Sequence, residues 1–274
     1  MPNRPKRLLP GFGLTMGFSL CYLSILVLIP IGAMFLRVAE MSWADFWRLA
    51  TTERALAAYK LTFGASFAAA LANAIFGTLL AWVLVRYDFP GRRFLDALID
   101  FPFALPTAVA GLTLANLFAA NGWLGHFLTP LGIQGAYSRL GVVIALTFVG
   151  MPFVVRTLQP VIESMDRDVE EAAAILGAGR FRTFCSVIAP TLWPPILTGF
   201  SLAFARAIGE YGSIVFISGN LPFKTEIAPY LIVMRLEEYD YHGAITLAVV
   251  LLAISFVLLA LVNWLEQWAS RFQH

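Results

Sequence analysis

Six apolar runs divide this chain, and they decide the solvent in which it can fold. They lie at about Gly11–Leu36, Leu61–Val85, Leu95–Ala120, Leu140–Val155, Leu192–Ser218 and Ala244–Leu265. Most reach the roughly 20 residues that one helical crossing of a bilayer takes. In lipid every backbone N–H and C=O must be paired inside the protein, so runs of this length predict helices. Hydrophobic residues make up 59% of the 274 and charged residues 13%, against roughly 45–50% and 25% in soluble domains. The expected fold class is an all-α membrane protein of six transmembrane helices.

An even number of spans puts both termini on one side. With the amino terminus inside, Arg4, Lys6, Arg7, Arg86, Arg92, Arg93, Arg156, Arg167, Arg180, Arg182 and Arg271 face the cytoplasm. Outside lie Arg37, Arg48, Arg54, Lys60, Arg139, Lys224 and Arg235, in collectively longer segments. The inner excess predicts cytoplasmic termini. The first run follows three basic residues as a signal peptide does, but it is far longer than a cleavable apolar region and is read as a retained span.

Net charge is +2, which gives no field for nucleic acid. Cys21 and Cys185 fall at different depths and predict no disulfide. No CxxC, HExxH, GxSxG or Walker-A sequence occurs, and His126, His242 and His274 are scattered. No catalytic residue and no metal ligand is assigned.

Residues 163–193 form a charged, helix-breaking island between the fourth and fifth runs. Glu170 to Leu176 are good helix formers, Gly177 and Gly179 permit positive φ where a helix ends, and Phe181 to Ile188 begin a second helix that Pro190 is expected to stop. The predicted elbow, carrying Glu170, Glu171, Arg180 and Arg182, suits a groove on a soluble partner. An amphipathic loop lying on the bilayer is the competing reading. The spacing of Glu171-Ala172-Ala173, Gly177, Val187 and Pro190 resembles the EAA loop of ABC importer permeases, whose tail reads I-x-L-P; here Val187 and Ala189 replace its Ile and Leu. That resemblance implies that Glu170, Glu171, Ala172, Ala173, Gly177, Gly179 and Pro190 couple the spans to an ATPase.

Two polar features lie inside the runs. Arg206 and Glu210 are four apart in FARAIGEYG, near the middle of the fifth. An unpaired charge there costs at least about 2.5–3.5 kcal/mol, so the two are expected to meet, either as a packing pair or with Arg206 offering an anion a foothold. The third run opens FPFALPTAVAG, where Pro102 and Pro106 interrupt the helix ladder ahead of Thr107. Such backbone survives at membrane depth as a packing kink or beside a water-filled cavity. With Tyr211, these residues are the candidate translocation pathway. Asn73 in the second run is a candidate interhelical hydrogen bonder.

The stretches FPFALPTAVAGLTLANLFAANGWLG, SLAFARAIGEYGSIVFISGN and PFKTEIAPYLIVMRLEEYDYHGA are similar to the T-type permease subunit of bacterial sulfate/thiosulfate ABC importers. This resemblance implies a type I importer permease fold in the bacterial cytoplasmic (inner) membrane. The implied partners are a second, W-type permease subunit, two copies of an ATPase subunit, a periplasmic sulfate/thiosulfate-binding protein and membrane lipid. ATP and Mg would be bound by the ATPase, and no cofactor by this chain. The first span and its outer interfacial segment, residues 1–57, read as an addition to the unit that follows, a permease core at 58–265 carrying the elbow at 163–193, with a cytoplasmic tail at 266–274. A molybdate/tungstate permease is the alternative cargo class. An ATP-independent secondary transporter or channel is the alternative mechanism, against which the elbow spacing stands.

Overall fold

The computed structural model describes residues 12–270, which form helices and no strand. In chain order they are α1 (Phe12–Leu23), α2 (Ile29–Ala39), α3 (Trp43–Ala50), α4 (Glu53–Arg86), α5 (Arg92–Ile99), α6 (Phe101–Ala104), α7 (Thr107–Phe118), α8 (Gly125–Leu128), α9 (Arg139–Ser164), α10 (Arg167–Ile175), α11 (Arg180–Thr183), α12 (Ala189–Ile208), α13 (Ile214–Ile217), α14 (Ala228–Glu237) and α15 (Tyr241–Ser270). Five segments are long and apolar enough to cross a membrane, Phe12–Ala39, Glu53–Arg86, Arg139–Ser164, Arg180–Ile208 and Tyr241–Leu265, and α7 is a shorter sixth apolar helix.

Local chemistry sets many of the helix starts. Ser42, Thr52 and Ser138 turn their hydroxyls back to accept the N–H of Asp45, Ala55 and Gly141, capping α3, α4 and α9. Since α4 begins at Glu53, the division expected at residue 57 falls inside that helix.

The core is the three-way packing of α4, α9 and α12. The buried face of α4 is rich in alanine, including Ala65, Ala69, Ala70 and Ala81, and small residues let helices approach closely where lipid supplies no hydrophobic drive. Into this space α9 sends Val154, Val155 and Leu158, and α12 sends Leu192, Phe204 and Ile208. By contrast α1 buries none of its residues. Large apolar side chains exposed on α4, such as Phe67, Ile75 and Phe76, follow the same logic, because in a bilayer this surface meets lipid or another subunit.

Three runs depart from the continuous spans expected. The third is broken: α5 and α6 precede α7, Leu105 is extended as a residue before proline tends to be, and Pro106 caps α7. Pro102 occupies the first turn of α6, where no intrahelical N–H is required, so neither proline kinks a helix. The fourth runs on past Val155 to Ser164. The fifth ends at Ile208, and its last part is a turn followed by α13.

Pro190 does not stop the second elbow helix. A π-turn at Phe184–Ile188, in which the Ala189 N–H reaches the Phe184 carbonyl, carries α11 directly into α12. The same device joins α1 to α2 at Ser24–Leu28 ahead of Pro30. In both places a five-residue ring closes on the residue just before the proline, so the widened turn takes up the bond register that proline disrupts.

Candidate functional site

The elbow is built by a helix stop that only one of its two glycines provides. Gly177 has φ +80, its N–H reaches Ala174 O at 3.0 Å, and the Ala178 N–H reaches Ala173 O at 3.0 Å. This is a Schellman stop on α10. Gly179 has φ −68 and heads α11 in extended backbone, so it does not use the positive φ expected of it. The reversal leaves Ile175 86%, Leu176 87% and Phe181 81% exposed, an apolar tip with Glu171 and Ala172 also open to solvent.

The elbow is tied to the bundle through Glu170. Its carboxylate lies 2.6 Å from Arg86 at the end of α4, and Arg86 also sits 5.1 Å from the Trp82 ring. Beside it, Arg156 of α9 donates to Asp96 and Asp100, at 2.8 Å or less, and to Gln159. Asp96 and Asp100 thereby fasten α5 to α9. The hydrogen bond from Gln159, and then Arg156, holds the Asp96 carboxyl below the ordinary carboxylate range. In the sequence this cluster shows only as two aspartates four apart in the third apolar run.

At the far end of α12 the helix stops at Ile208, at the level of the middle of α4, because Ala207 packs in one cluster with Ala65 and Ala69. Arg206 and Glu210 do meet, Nη1 to Oε2 at 2.5 Å. The other carboxylate oxygen accepts from the Ser213 N–H and Oγ–H, each at 2.9 Å. Glu210 is 2% exposed and fully satisfied, while the Arg206 side chain is 34% exposed and, among the described residues, pairs with Glu210 alone. The carboxylate is thus a clamp on the turn, and the guanidinium retains donors that face outward.

This turn lies against the start of α7. A Cβ on Gly212 would overlap Thr107 Oγ1, and one on Gly111 would overlap the backbone of Ser213, so the two glycines allow a backbone approach that no other residue could. Tyr211 stacks on Tyr230 of α14 at 6.4 Å. The fold therefore brings Thr107, Arg206, Glu210 and Tyr211 together, with Pro106 as the cap beneath Thr107. Pro102 lies apart in α6, whose Phe103 packs on Phe153 of α9. Asn73 is 1% exposed and its amide has no hydrogen-bond partner among the described residues, so it does not bond another helix. No cluster of metal-ligating side chains occurs among the described residues.

Residues 73–271 match the family described as binding-protein-dependent transport system inner membrane component. The chain is 52% identical over 254 residues to the probable sulfate transport system permease protein cysT of Nephroselmis olivacea, covering 93% of this chain and 89% of that protein. It is 48% identical over 267 residues to the sulfate transport system permease protein CysT of Escherichia coli, covering 97% and 95%. Among solved structures it is similar to a chain of a bacterial ABC transporter involved in the import of the acidic polysaccharide alginate, with TM-score 0.75 at 15% identity over 94% of this chain and 96% of that one. That likeness is one of fold.

Proposed function

Since the chain belongs to the family of binding-protein-dependent transport system inner membrane components, we propose that it is the permease subunit of an ATP-driven importer of sulfate and thiosulfate in the bacterial cytoplasmic membrane. The likeness in sequence to sulfate permeases over nearly the whole chain carries the choice of cargo. The chain is a transport subunit, not an enzyme. ATP and Mg are bound by a separate ATPase, present in two copies, and the remaining partners are a W-type permease and a periplasmic sulfate/thiosulfate-binding protein. Both termini face the cytoplasm, on the same side as the elbow.

In this reading residues 1–57 are a span with an outer segment, 58–265 the permease core and 266–274 a cytoplasmic tail. The apolar tip around Ile175, Leu176 and Phe181 seats in a groove of the ATPase, with Glu171, Ala172 and Ala173 on the helix leading to it. Two rigid connections pass the ATPase movement on. One is Glu170 to Arg86, which reaches α4. The other is the unbroken 29-residue path from Arg180 to Ile208, about 43 Å at 1.5 Å per residue, which ends at the Arg206 turn. The π-turn before Pro190 makes that path continuous.

The turn is the pathway element. A doubly charged anion is costly in lipid unless it stays hydrated or meets donors. Arg206 offers open N–H groups, Thr107 a hydroxyl, and Glu210 keeps the turn closed on Ser213 while leaving the Arg206 side chain 34% exposed. The binding protein delivers the anion to the outward-open cavity, closure of the ATPases draws the elbows together, and hydrolysis resets the spans. Labelled sulfate uptake by cells carrying this permease with its partners tests the reading. Competition by unlabelled thiosulfate but not molybdate is expected, while competition by molybdate alone reassigns the cargo. Uptake that persists without a co-purifying ATPase overturns the ABC mechanism.

A further inference from the structure

At the end of the bundle opposite the elbow, a cavity of about 460 Å³ opens between α4, the start of α9 and the segment leading into α14. Lys60, Arg139 and Lys224 line it, and among the described residues no carboxylate does. All three cations are exposed, and none is ion-paired among the described residues. Glu226, a carboxylate two residues beyond Lys224 in the chain, is already committed elsewhere. It is 2% exposed, with both oxygens taken by Arg54 at 2.8 Å. Arg139 donates through Nε to the Lys224 carbonyl at 2.9 Å, which fixes the loop against the head of α9. Gly64 and Ala65 keep one wall low, so the charges border open space.

The cavity is also in the right place. Leu61 and Val143, which wall it, pack on the cluster that contains Ala207 and Ile214, the residues flanking the Arg206 turn. We propose that this cavity is a holding site for a hydrated divalent oxyanion at the outer mouth of the pathway, one step before Arg206. Three like charges around one opening repel each other until an anion enters, and lysine ammonium groups, being compact and strongly hydrated, attract an anion without stripping its water. The volume admits an oxyanion together with several waters of about 30 Å³ each. Like charges on the rim of one cavity add their potentials and raise the local anion concentration, an effect that salt weakens. This inference rests on the oxyanion reading above.

The test uses the complete transporter without binding protein, purified and titrated with sulfate in place of chloride at constant ionic strength, with thermal unfolding as the readout. The wild type is expected to be stabilised by sulfate, and Lys60→Gln/Lys224→Gln to need about tenfold more sulfate for half of the effect. Lys60→Arg/Lys224→Arg should restore the wild-type concentration, which separates lost charge from lost folding. Any anion sites on the ATPase respond equally in every variant and cancel in the comparison. An unchanged titration in the Gln pair, with the effect lost only in Arg206→Gln, places the anion at the turn alone and overturns the proposal. So does a Gln pair that keeps its sulfate response but loses co-purification with the binding protein, since the cations would then be a docking face for carboxylates. If sulfate stabilises no better than chloride while the same preparation still transports labelled sulfate, the holding site fails and the importer reading stands.

Discussion

Arg86 in the last turn of α4 and Glu170 in the first turn of α10 meet at 2.6 Å, with side chains 10% and 29% exposed. Their link is the only ion pair joining the elbow to the bundle among the described residues. Glu170→Gln leaves a nearly buried guanidinium without its charge partner, a loss of about 1–3 kcal/mol in local stability. Trypsin should then cut at the exposed Arg180 and Arg182 about tenfold faster. Cleavage at the wild-type rate would show that the pair does not hold the elbow.

The two elbow glycines should respond in opposite ways. Gly177→Val forces a β-branched residue to φ +80 and costs roughly 1–2 kcal/mol at the turn, so ATP hydrolysis should uncouple from uptake in a stably inserted protein. Gly179 has φ −68 and open space around its would-be Cβ, so Gly179→Ala should be neutral or stabilising by about 0.4–1 kcal/mol. Comparing sulfate-stimulated ATPase activity in the two variants checks this. Equal damage from both would mean that the ATPase groove contacts the backbone at 179.

The elbow was legible because its signals are local: a run of helix formers, a glycine at the stop, charges that lipid rejects. The six apolar helices were legible for the same reason. What the sequence hid were breaks that tertiary contact satisfies. Hydropathy counts Leu95 to Asp100 as lipid-soluble, but Asp96 and Asp100 are held by Arg156 from a helix 56 or 60 residues away. Similarly, the GEYGS turn reads as helix until Gly212 and Gly111 are seen to press α7 against it. Pro190 reads as a helix stop because the sequence does not show the π-turn at Phe184–Ile188 that absorbs the register the proline disrupts. The three cations around the outer cavity are 164 residues apart at their extremes, from Lys60 to Lys224, and no local pattern links them.

Acid should loosen α5 from α9. The hydrogen bond from Gln159, and then Arg156, keeps the folded Asp96 carboxyl below its unfolded value of about 3.9. A depressed carboxylate contributes stability that is present above the unfolded value and lost as pH falls through the folded one. Thermal unfolding between about pH 6 and 3 should therefore fall less steeply in Asp96→Asn than in the wild type at the acid end. Parallel curves would remove Asp96 from the acid response.

Orientation can be read with a native probe. With the elbow in the cytoplasm, Cys185, exposed on the second elbow helix, should resist an impermeant maleimide added to intact cells. In a background with Cys21 and Cys185 replaced, cysteines at Ser42 and Lys224 should react from outside, and one at Ser164 should not. The reverse pattern would put the elbow outside and end its role with an ATPase.

The Arg206 and Glu210 pair separates packing from transport. Glu210→Gln keeps an oxygen that can accept from the Ser213 N–H, so the turn can survive the loss of charge, while Arg206→Gln alone strands a carboxylate that is 2% exposed. The single Arg206 change should therefore lower expression and stability more than the single Glu210 change. Changing both removes the stranded charge, and the double variant should fold and assemble better than Arg206→Gln alone. If the open donors of Arg206 serve the anion, that well-folded double variant should still transport sulfate at least tenfold more slowly, roughly the 1.4 kcal/mol expected for one lost charged hydrogen bond. Uptake at the wild-type rate in the double variant would make Arg206 a packing residue and leave the anion to Thr107 and the backbone of the turn.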